Sequence, residues 1–415
     1  MFMEKIIMIN LIIAIIFFLC YCYQFLYVVV SFFQEDKPHQ HEESHNFAVL
    51  IAARNESSVI GHLINSLQTQ TYNQDQLKIF VIADNCTDNT AQIARDMGAI
   101  VYERFDQDKI GKGYAMDYLL NRMEEDYDPF DGYFIFDADN VLDVHYIEEM
   151  NKTFSDGYDI ITSYRNSKNY GDNWISAGYA LWFLWESEYL NRGRMLLGTS
   201  CAVSGTGFFF SRRIFEKHGG WKFFLLTEDI QFTVENVISG EKIGYCRNAI
   251  IYDEQPIKFR QSFRQRMRWA KGFFQVFRQY GGDLLKGTAR RNPSCYDMMM
   301  VIMPAIFLTL FCLLMNITAI MVGDFSTNEV HLLIYSLQKM LVNIYLTLVT
   351  IGTITTVTQW NQIHTTPAKK VFYIFTFPIF MLTYIPITVA ALFKNVEWHP
   401  IEHSQAKSLA EIKKG

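Results

Sequence analysis

Residues 6–33 form an apolar segment that is long enough to cross a lipid bilayer. This segment contains no charged side chain, and a helix needs roughly 20 apolar residues to span the hydrocarbon core. It is too long for the core of a signal peptide, and no cleavage site of small residues follows it. Three further uncharged runs, at 298–322, 340–358 and 371–393, are also predicted to be membrane-spanning helices.

The charges between these runs predict the orientation of the chain. The loop 359–370 ends in two lysines, whereas the loop 323–331 contains no lysine or arginine. Because basic loops tend to stay in the cytosol, we expect a multi-pass protein of the cell membrane with 359–370 and the long segment 34–297 on the cytosolic side. Two prolines could bend the last run, so the side on which the tail lies stays open.

The long segment alternates between short buried strands and amphipathic helices. The continuous apolar run FAVLIAA at 47–53 is typical of a strand covered on both faces, and apolar residues at helical spacing follow it through 59–67. Four such strands separated by helices predict an α/β fold with a mostly parallel sheet. Ligands bind such sheets beyond the carboxyl ends of the strands.

Polar side chains follow three of the predicted strands. Glu56 follows the first strand, Asp84 the second, and the pair Asp137 and Asp139 the fourth. Each cluster alone could be a turn or a helix cap, but their convergence on one sheet edge indicates a binding site. The pair could hold Mg²⁺ or Mn²⁺, since these hard cations prefer oxygen ligands shared with substrate phosphates.

Two later motifs carry candidate chemistry. Lys112 stands at a predicted helix start, where backbone N–H groups also favour phosphate. Glu228 and Asp229 in LLTEDIQF could act on a substrate hydroxyl as general base. The alternative is a helix N-terminus capped by Thr227, with the two acids complementing the helix dipole.

The stretch QRMRWAKG combines an amide, a planar cation and an indole. On a helix, Gln265, Arg268 and Trp269 share one face; a guanidinium fork suits a diphosphate, and an indole suits the apolar face of a sugar ring. The surrounding segment 258–291 is predicted to lie on an anionic membrane surface. The remaining cations of its first part, residues 258–279, are Lys258, Arg260, Arg264, Arg266, Lys271 and Arg278. Nucleic acid is disfavoured as a partner by the net charge of −6.

Seven motifs in order resemble those of the membrane-embedded, inverting family 2 glycosyltransferases with a GT-A fold, which include cellulose, hyaluronan and poly-N-acetylglucosamine synthases. The motifs are AARNES, ADNCTD, GKGYAMD, FDADN, SGTGFF, TED and QRMRW, within residues 48–272. The first motif departs from the family pattern, because Ala52 and Arg54 replace a proline and an aromatic residue. The resemblance implies a Rossmann-like GT-A domain inserted between transmembrane helices.

The resemblance also implies a donor site for a UDP-sugar. Glu56 and Asp84 would contact the uridine, and Lys112 would lie beside the diphosphate. Asp137 and Asp139 would form the pair that holds the nucleotide and a Mg²⁺ or Mn²⁺ ion.

An acceptor site is implied as well. Asp229, beside Glu228, would be the base that deprotonates the acceptor hydroxyl. The other residues would grip the diphosphate, stack the acceptor sugar or lie near it: Gln265, Arg268, Trp269, Gly205 and Gly207.

The chain is therefore predicted to have four parts. They are an N-terminal transmembrane helix (1–35), a cytosolic GT-A domain (36–257), the QxxRW and interface helices (258–297), and C-terminal transmembrane helices with a tail (298–415). The predicted function is inverting transfer from UDP-N-acetylglucosamine or UDP-glucose to a growing β-linked extracellular polysaccharide. The alternatives are transfer of one sugar to a lipid, and an inactive binding or transport protein on the same fold. Expected partners are the donor, a glycan or lipid acceptor, anionic membrane lipid, and export or accessory proteins.

Overall fold

A computed structural model describes residues 2–322, 327–401 and 403–414, and within them the apolar runs assemble into one eight-stranded sheet. The strands are β1 (Phe47–Ala53), β2 (Leu77–Asp84), β3 (Ile100–Arg104), β4 (Gly132–Asp137), β5 (Val141–Leu142), β6 (Ile160–Ser167), β7 (Phe208–Ser211) and β8 (Ile243–Asp253). Their spatial order is β3-β2-β1-β4-β7-β6-β8-β5. The first four strands are mutually parallel, as predicted, whereas β7 runs antiparallel to both of its neighbours.

Helices cover both faces of this sheet. Those of the domain are α3 (Ile60–Gln68), α4 (Thr90–Asp96), α5 (Lys112–Asp126), α6 (Tyr146–Ser155), α7 (Trp174–Trp185), α8 (Arg192–Leu197), α9 (Arg212–His218) and α10 (Glu228–Ile238), with a π-helical turn at Glu186–Asn191 and a 3-10 turn at Gln74–Gln76. The apolar faces of α3 and α6 pack on one side of the sheet, and those of α5 and α10 pack on the other. The central strands are therefore buried on both faces, which explains their continuous apolar sequences.

The remaining helices flank the domain. They are α1 (Phe2–Tyr21), α2 (Tyr23–Phe33), α11 (Phe259–Ala289), α12 (Pro293–Ile302), α13 (Pro304–Val322), α14 (Thr327–Thr358), α15 (Pro367–Leu382), α16 (Tyr384–Phe393) and α17 (Leu409–Lys414). Three described segments are long and apolar enough to cross a membrane: Glu4–Phe33, Leu337–Thr358 and Pro367–Phe393. Helices Pro293–Ile302 and Phe307–Thr318, bent by 46°, would add a fourth as one broken span. Of the predicted loop 323–331, residues 323–326 lie outside the described residues and the others belong to α14.

The last apolar segment touches the rest of the chain at both ends. Near its start, Lys369 Nζ donates to the Gly171 carbonyl at 2.7 Å, and near its end the Ala391 carbonyl accepts from Lys271 Nζ at 3.2 Å. Between these points α15 packs on α7, and α16 packs on α11. The segment therefore runs along the domain and the helix that follows it.

The tail beyond α16 returns to the domain. Lys413 Nζ contacts Asp143 at 2.7 Å, just beyond β5. The loop 359–370 also meets the domain, where Tyr164 Oη donates to Gln359 Oε1 at 2.7 Å. The predicted run 371–393 lies within the candidate span Pro367–Phe393, and both the loop before it and the tail after it contact the domain.

A buried ion pair joins the first apolar helices to the domain. Arg194 Nε and Nη2 donate to the Asp297 carboxylate at 2.7 and 3.2 Å, and both side chains are at most 1% exposed. The hydroxyls of Tyr23 and Tyr27 donate to the same carboxylate at 2.7 and 2.9 Å. Because a buried charge is costly without partners, these bonds fix α2 against α8 and α12.

Candidate active site

The carboxyl ends of β1 and β2 meet at a tight polar corner. Asn55 and Asn85 have left-handed backbones (φ of 59° and 54°), which turn the chain sharply out of each strand. Glu56 and Asp84 are both buried beside these turns. Asp84 Oδ1 accepts from Arg104 Nη1 on β3 at 2.6 Å. The two acids expected to contact a nucleoside therefore share one edge, and one of them is held by a cation that the motif did not indicate.

Lys112 connects two of the predicted motifs. Its Nζ donates to Asp137 Oδ1 at 2.5 Å and to the Gly205 carbonyl at 2.8 Å. Burial alone would lower the pKa of Lys112, but Asp137, Glu228 and Asp229 raise it above its ordinary value. A permanent cation thus stands between the acids after β4 and those at the start of α10.

Asp139 points away from solvent at the end of β4. Its Oδ2 accepts from the Glu254 backbone N–H at 2.8 Å. Burial opposes ionisation of this carboxyl, but His403, Lys168 and that backbone N–H outweigh it and lower its pKa. Asp139 is therefore held as an anion.

The acids Asp137 and Asp139 fit a hard cation only in part. Among the described residues, no group of three or more His, Cys, Asp or Glu side chains could hold a metal ion. Mg²⁺, however, is commonly held by one or two carboxylates together with substrate phosphates and water. The two side chains therefore suit an ion that is shared with a diphosphate, whose leaving charge it would neutralise.

The cleft is the space bordered by Lys112, the loop at Gly205, Arg268 and the two acids that begin helix α10, Glu228 and Asp229. Both side chains remain partly accessible, and burial raises the pKa of each, with Lys112 and Arg268 acting in the opposite direction. Thr227 occupies the N-cap position of α10 and the two acids lie in its first turn, as the alternative predicted, but the Thr227 side chain makes no capping hydrogen bond and its Oγ1 has no partner among the described residues.

The glycine loop before β7 lies directly beside Asp229. Gly205 and Gly207 have φ of 79° and 64°, a region that favours glycine. A Cβ placed on Gly205 would lie 3.7 Å from Asp229 Oδ2, and one on Gly207 would overlap Ile251 at 2.7 Å. The loop therefore brings its backbone close to the carboxylate.

Helix α11 presents the QxxRW residues to the same cleft. Arg268 Nη1 donates to the Leu226 carbonyl at 2.7 Å, three residues before Asp229. The Trp269 ring meets Phe183 edge-on with the centroids 6.3 Å apart. Gln265 Oε1 is buried without a partner among the described residues. The helix that carries Gln265, Arg268 and Trp269 thus contacts the segment just before Glu228 and Asp229.

One cation of α11, Arg266, lies in the protein interior and not on the membrane-facing surface predicted for it. Arg266 was expected at the membrane surface, but it is fully buried and donates to the Phe380 carbonyl at 3.0 Å and to Thr383 Oγ1 at 2.8 Å. It thereby satisfies polar groups at the junction of α15 and α16. The cations Arg264, Arg278 and Arg290 are exposed, as expected.

The tail contributes residues that the motifs did not indicate. His403 Nδ1 lies 2.9 Å from Glu56 Oε1. Burial disfavours the imidazolium, but Asp139, Glu56 and Glu254 raise the pKa of His403 to about 10. A single histidine in a polar tail carries no local signal of this contact.

Two more tail contacts lie beside that histidine. The backbone N–H groups of Ser404 and Gln405 donate to the Glu254 carboxylate at 3.0 and 2.8 Å. The Arg54 guanidinium carbon lies 5.4 Å from the centroid of the Trp398 ring. The tail therefore covers the corner formed by β1 and β4.

Comparison with known sequences decides the family. The pattern described as "Glycosyltransferase like family 2" matches residues 45–272, more than half of the chain. The chain belongs to glycosyltransferase family 2. This glycosyltransferase is 26% identical over 268 residues to "Probable glycosyltransferase YdaM" of Bacillus subtilis, covering 59% of each chain.

Two further relatives of this glycosyltransferase have more specific names. A "Beta-monoglucosyldiacylglycerol synthase" of Synechocystis is 24% identical, over 56% of this chain and 48% of that protein. A "Poly-beta-1,6-N-acetyl-D-glucosamine synthase" of Staphylococcus epidermidis is also 24% identical, over 60% of this chain and 61% of that protein. The chain thus spans about half to three-fifths of the length of the curated relatives it matches.

A solved structure shares the fold of this glycosyltransferase. The mannosyltransferase PcManGT from Pyrobaculum calidifontis, in complex with GDP-Man and Mn²⁺, superposes with a TM-score of 0.57 and 14% identity, over 94% of this chain and 99% of that one. The predicted GT-A type α/β domain, set between apolar helices, is confirmed.

Proposed function

We propose that this chain is a membrane-bound, inverting glycosyltransferase that uses UDP-N-acetylglucosamine or UDP-glucose to extend a β-linked extracellular polysaccharide. Its α/β domain faces the cytosol, where nucleotide sugars are made. Its partners are the donor, the growing glycan, anionic membrane lipid, and export or accessory proteins.

One observation carries this proposal: Lys112 and Asp229 both border Gly205. Lys112 bonds Asp137 and the Gly205 carbonyl, and Gly205 also borders the Asp229 carboxylate. A diphosphate at Lys112 and an acceptor hydroxyl at Asp229 would thus meet at the same loop, where the hydroxyl could attack the anomeric carbon as the diphosphate leaves. Attack from the side opposite the leaving group inverts the anomeric carbon.

Each residue has a defined task in this scheme. Asp229 takes the proton from the acceptor hydroxyl, and its raised pKa makes it a better base than an ordinary aspartate. Lys112 and Arg268 stabilise the negative charge that develops on the departing diphosphate. Glu56 and Asp84 orient the nucleoside, while Gln265 and Trp269 position the acceptor. A divalent cation held by Asp137 and Asp139 supplies further charge neutralisation when bound.

Transfer of one sugar to a lipid is the second candidate. It is favoured by the relative named a beta-monoglucosyldiacylglycerol synthase and by the placement of α11, whose exposed cations suit a membrane surface. The two candidates share donor chemistry and differ in the acceptor.

The test uses the full chain purified in detergent with each UDP-sugar in turn. UDP release and the size of the product are measured. Asp229→Asn is expected to keep UDP binding and to lose about 10²–10⁴ in transfer rate, since the amide retains shape without basicity. Asp283→Asn, on the exposed face of α11, is the matched control. Turnover in Asp229→Asn equal to the control would refute the assigned base.

A second variant tests the metal site. Asp139→Ala is expected to abolish metal-dependent binding of UDP, measured by calorimetry with and without Mg²⁺ or Mn²⁺. Metal dependence equal to that of the unmodified chain would count against the assigned ligands.

A further inference from the structure

We propose that Glu186 binds hydroxyl groups of the acceptor, so that the acceptor end of the cleft is built for a carbohydrate terminus and not for the single hydroxyl of a lipid alcohol. This inference rests on the proposed function and names the acceptor class of the same site. Neither the family motifs nor the sequence patterns include Glu186.

The local backbone sets Glu186 apart from its neighbours. It is the first residue of the π-helical turn Glu186–Asn191, which separates α7 from α8. A π-helical turn widens the helix by one residue and changes the direction in which the following side chains point, and such turns are frequent at functional sites. The helix is thus irregular at the residue whose carboxylate contacts Ser204, next to Gly205.

The Glu186 carboxylate has unused hydrogen-bonding capacity. Ser204 Oγ donates to its Oε2 at 3.0 Å, and this is its one side-chain hydrogen bond within the described residues. A carboxylate can accept about four. The side chain lies deep in the protein but keeps an accessible surface, and burial raises its pKa. A buried carboxylate with free acceptor positions is costly until donors reach it, and substrate hydroxyls would supply them.

Glu186 is connected to the catalytic residues through the loop before β7. Ser204 directly precedes Gly205, which borders Asp229. The Ser204 carbonyl accepts from Arg165 Nη1 at 2.8 Å. The Glu186 carboxylate is therefore bound to Ser204, and the next residue along the chain, Gly205, borders the base Asp229.

A second set of contacts connects the loop at Ser204 to Trp269 through Arg165. The Arg165 guanidinium carbon lies 3.7 Å from the centroid of the Phe183 ring, and Phe183 meets Trp269 edge-on at 6.3 Å. Arg165 is itself fixed by Asp253, to which its Nε donates at 2.7 Å. Asp229, Glu186, Arg165 and Trp269 are thus connected by a series of direct contacts through the Gly205 loop and Phe183.

This combination of groups fits a sugar ring. An aromatic face packs against the apolar C–H face of a pyranose, while an anionic carboxylate makes strong, charge-assisted hydrogen bonds with hydroxyls at the ring edge. A diacylglycerol offers one hydroxyl, which would be placed at Asp229 for deprotonation. No second hydroxyl would then remain to donate a hydrogen bond to Glu186. Sites that hydrogen-bond a substrate group discriminate strongly against analogues that lack it.

The test measures acceptor and donor kinetics separately in Glu186→Gln and Ser204→Ala. With an oligosaccharide of the transferred sugar as acceptor, Glu186→Gln is expected to raise the acceptor KM about tenfold or more, as for loss of hydrogen bonds to a charged group. The donor KM is expected to stay unchanged. Ser204→Ala, which frees the carboxylate without removing it, is expected to give a smaller rise in the same KM.

Glu188→Gln is the matched control. Glu188 lies on the same π-helical turn but binds Arg192 and Arg247 at 3.0 and 2.7 Å, away from the cleft. An equal rise in acceptor KM in Glu188→Gln and Glu186→Gln would overturn the proposal, because it would indicate general damage to the turn. An unchanged acceptor KM in Glu186→Gln would overturn it directly, as would equal use of diacylglycerol and oligosaccharide by the unmodified chain. Failure of the proposed function itself would look different: the unmodified chain would release no UDP with any donor.

Discussion

The buried ion pair between Asp297 and Arg194 is predicted to contribute strongly to the free energy of unfolding. Asp297→Asn keeps the shape of the side chain but leaves the guanidinium of Arg194 buried without a counter-charge. Both side chains are at most 1% exposed, so water cannot take the place of the carboxylate. Removal of one partner from a buried pair typically costs about 3–5 kcal/mol, and the hydroxyls of Tyr23 and Tyr27 lose a charged acceptor at the same time.

The assay is denaturant unfolding of the purified chain in one detergent, followed by tryptophan fluorescence. Asp283→Asn is the control, because its 2.8 Å contact with Lys286 is exposed and exposed pairs contribute at most about 1 kcal/mol. The double variant Arg194→Met with Asp297→Leu should regain most of the lost stability, since no unpaired charge remains. Equal unfolding free energies for Asp297→Asn and Asp283→Asn would refute the reasoning.

Three further predictions concern the cleft and the membrane surface. Trp269→Ala should shorten or abolish the polymer and Trp269→Phe should keep part of the activity; unchanged product length in Trp269→Ala would contradict this. Because the pKa of Asp229 is raised, the base is protonated as pH falls through that raised value, so the acid limb of kcat/KM should lie above the ordinary aspartate range near ~3.9; a limb within that range would count against it. Neutral replacements of three exposed cations should weaken binding to anionic vesicles in a salt-sensitive way, and salt-independent binding would argue against a surface role. These cations are Arg264, Arg278 and Arg290.

The sheet was predictable because its central strands are buried on both faces. The run 47–53 forms β1 with the predicted bounds, and the acids Asp137 and Asp139 follow β4 as expected. Sequence spacing also placed Gln265, Arg268 and Trp269 on one helical face. These features depend on local periodicity, which a single sequence displays.

Contacts between distant segments were not predictable in this way. Arg104 on β3 donates to Asp84 on the neighbouring strand β2. The sequence alone does not indicate that these two residues are partners. Arg266 looks like its exposed neighbours in composition, but its burial depends on where α15 and α16 pack. The π-helical turn that presents Glu186 likewise interrupts a continuous helical pattern without a proline or glycine to mark it.

The position of the tail has a consequence for the order in which the protein matures. His403 and Glu56 are 347 positions apart in the chain, so a ribosome completes the sheet long before it makes the histidine that covers the sheet edge. During that interval α12 to α16 must enter the bilayer or settle against the domain, while Glu56 stays uncovered. The corner of the cleft is therefore covered only after α12 to α16 have been made. A newly made domain whose later helices are still being synthesised would have an open edge.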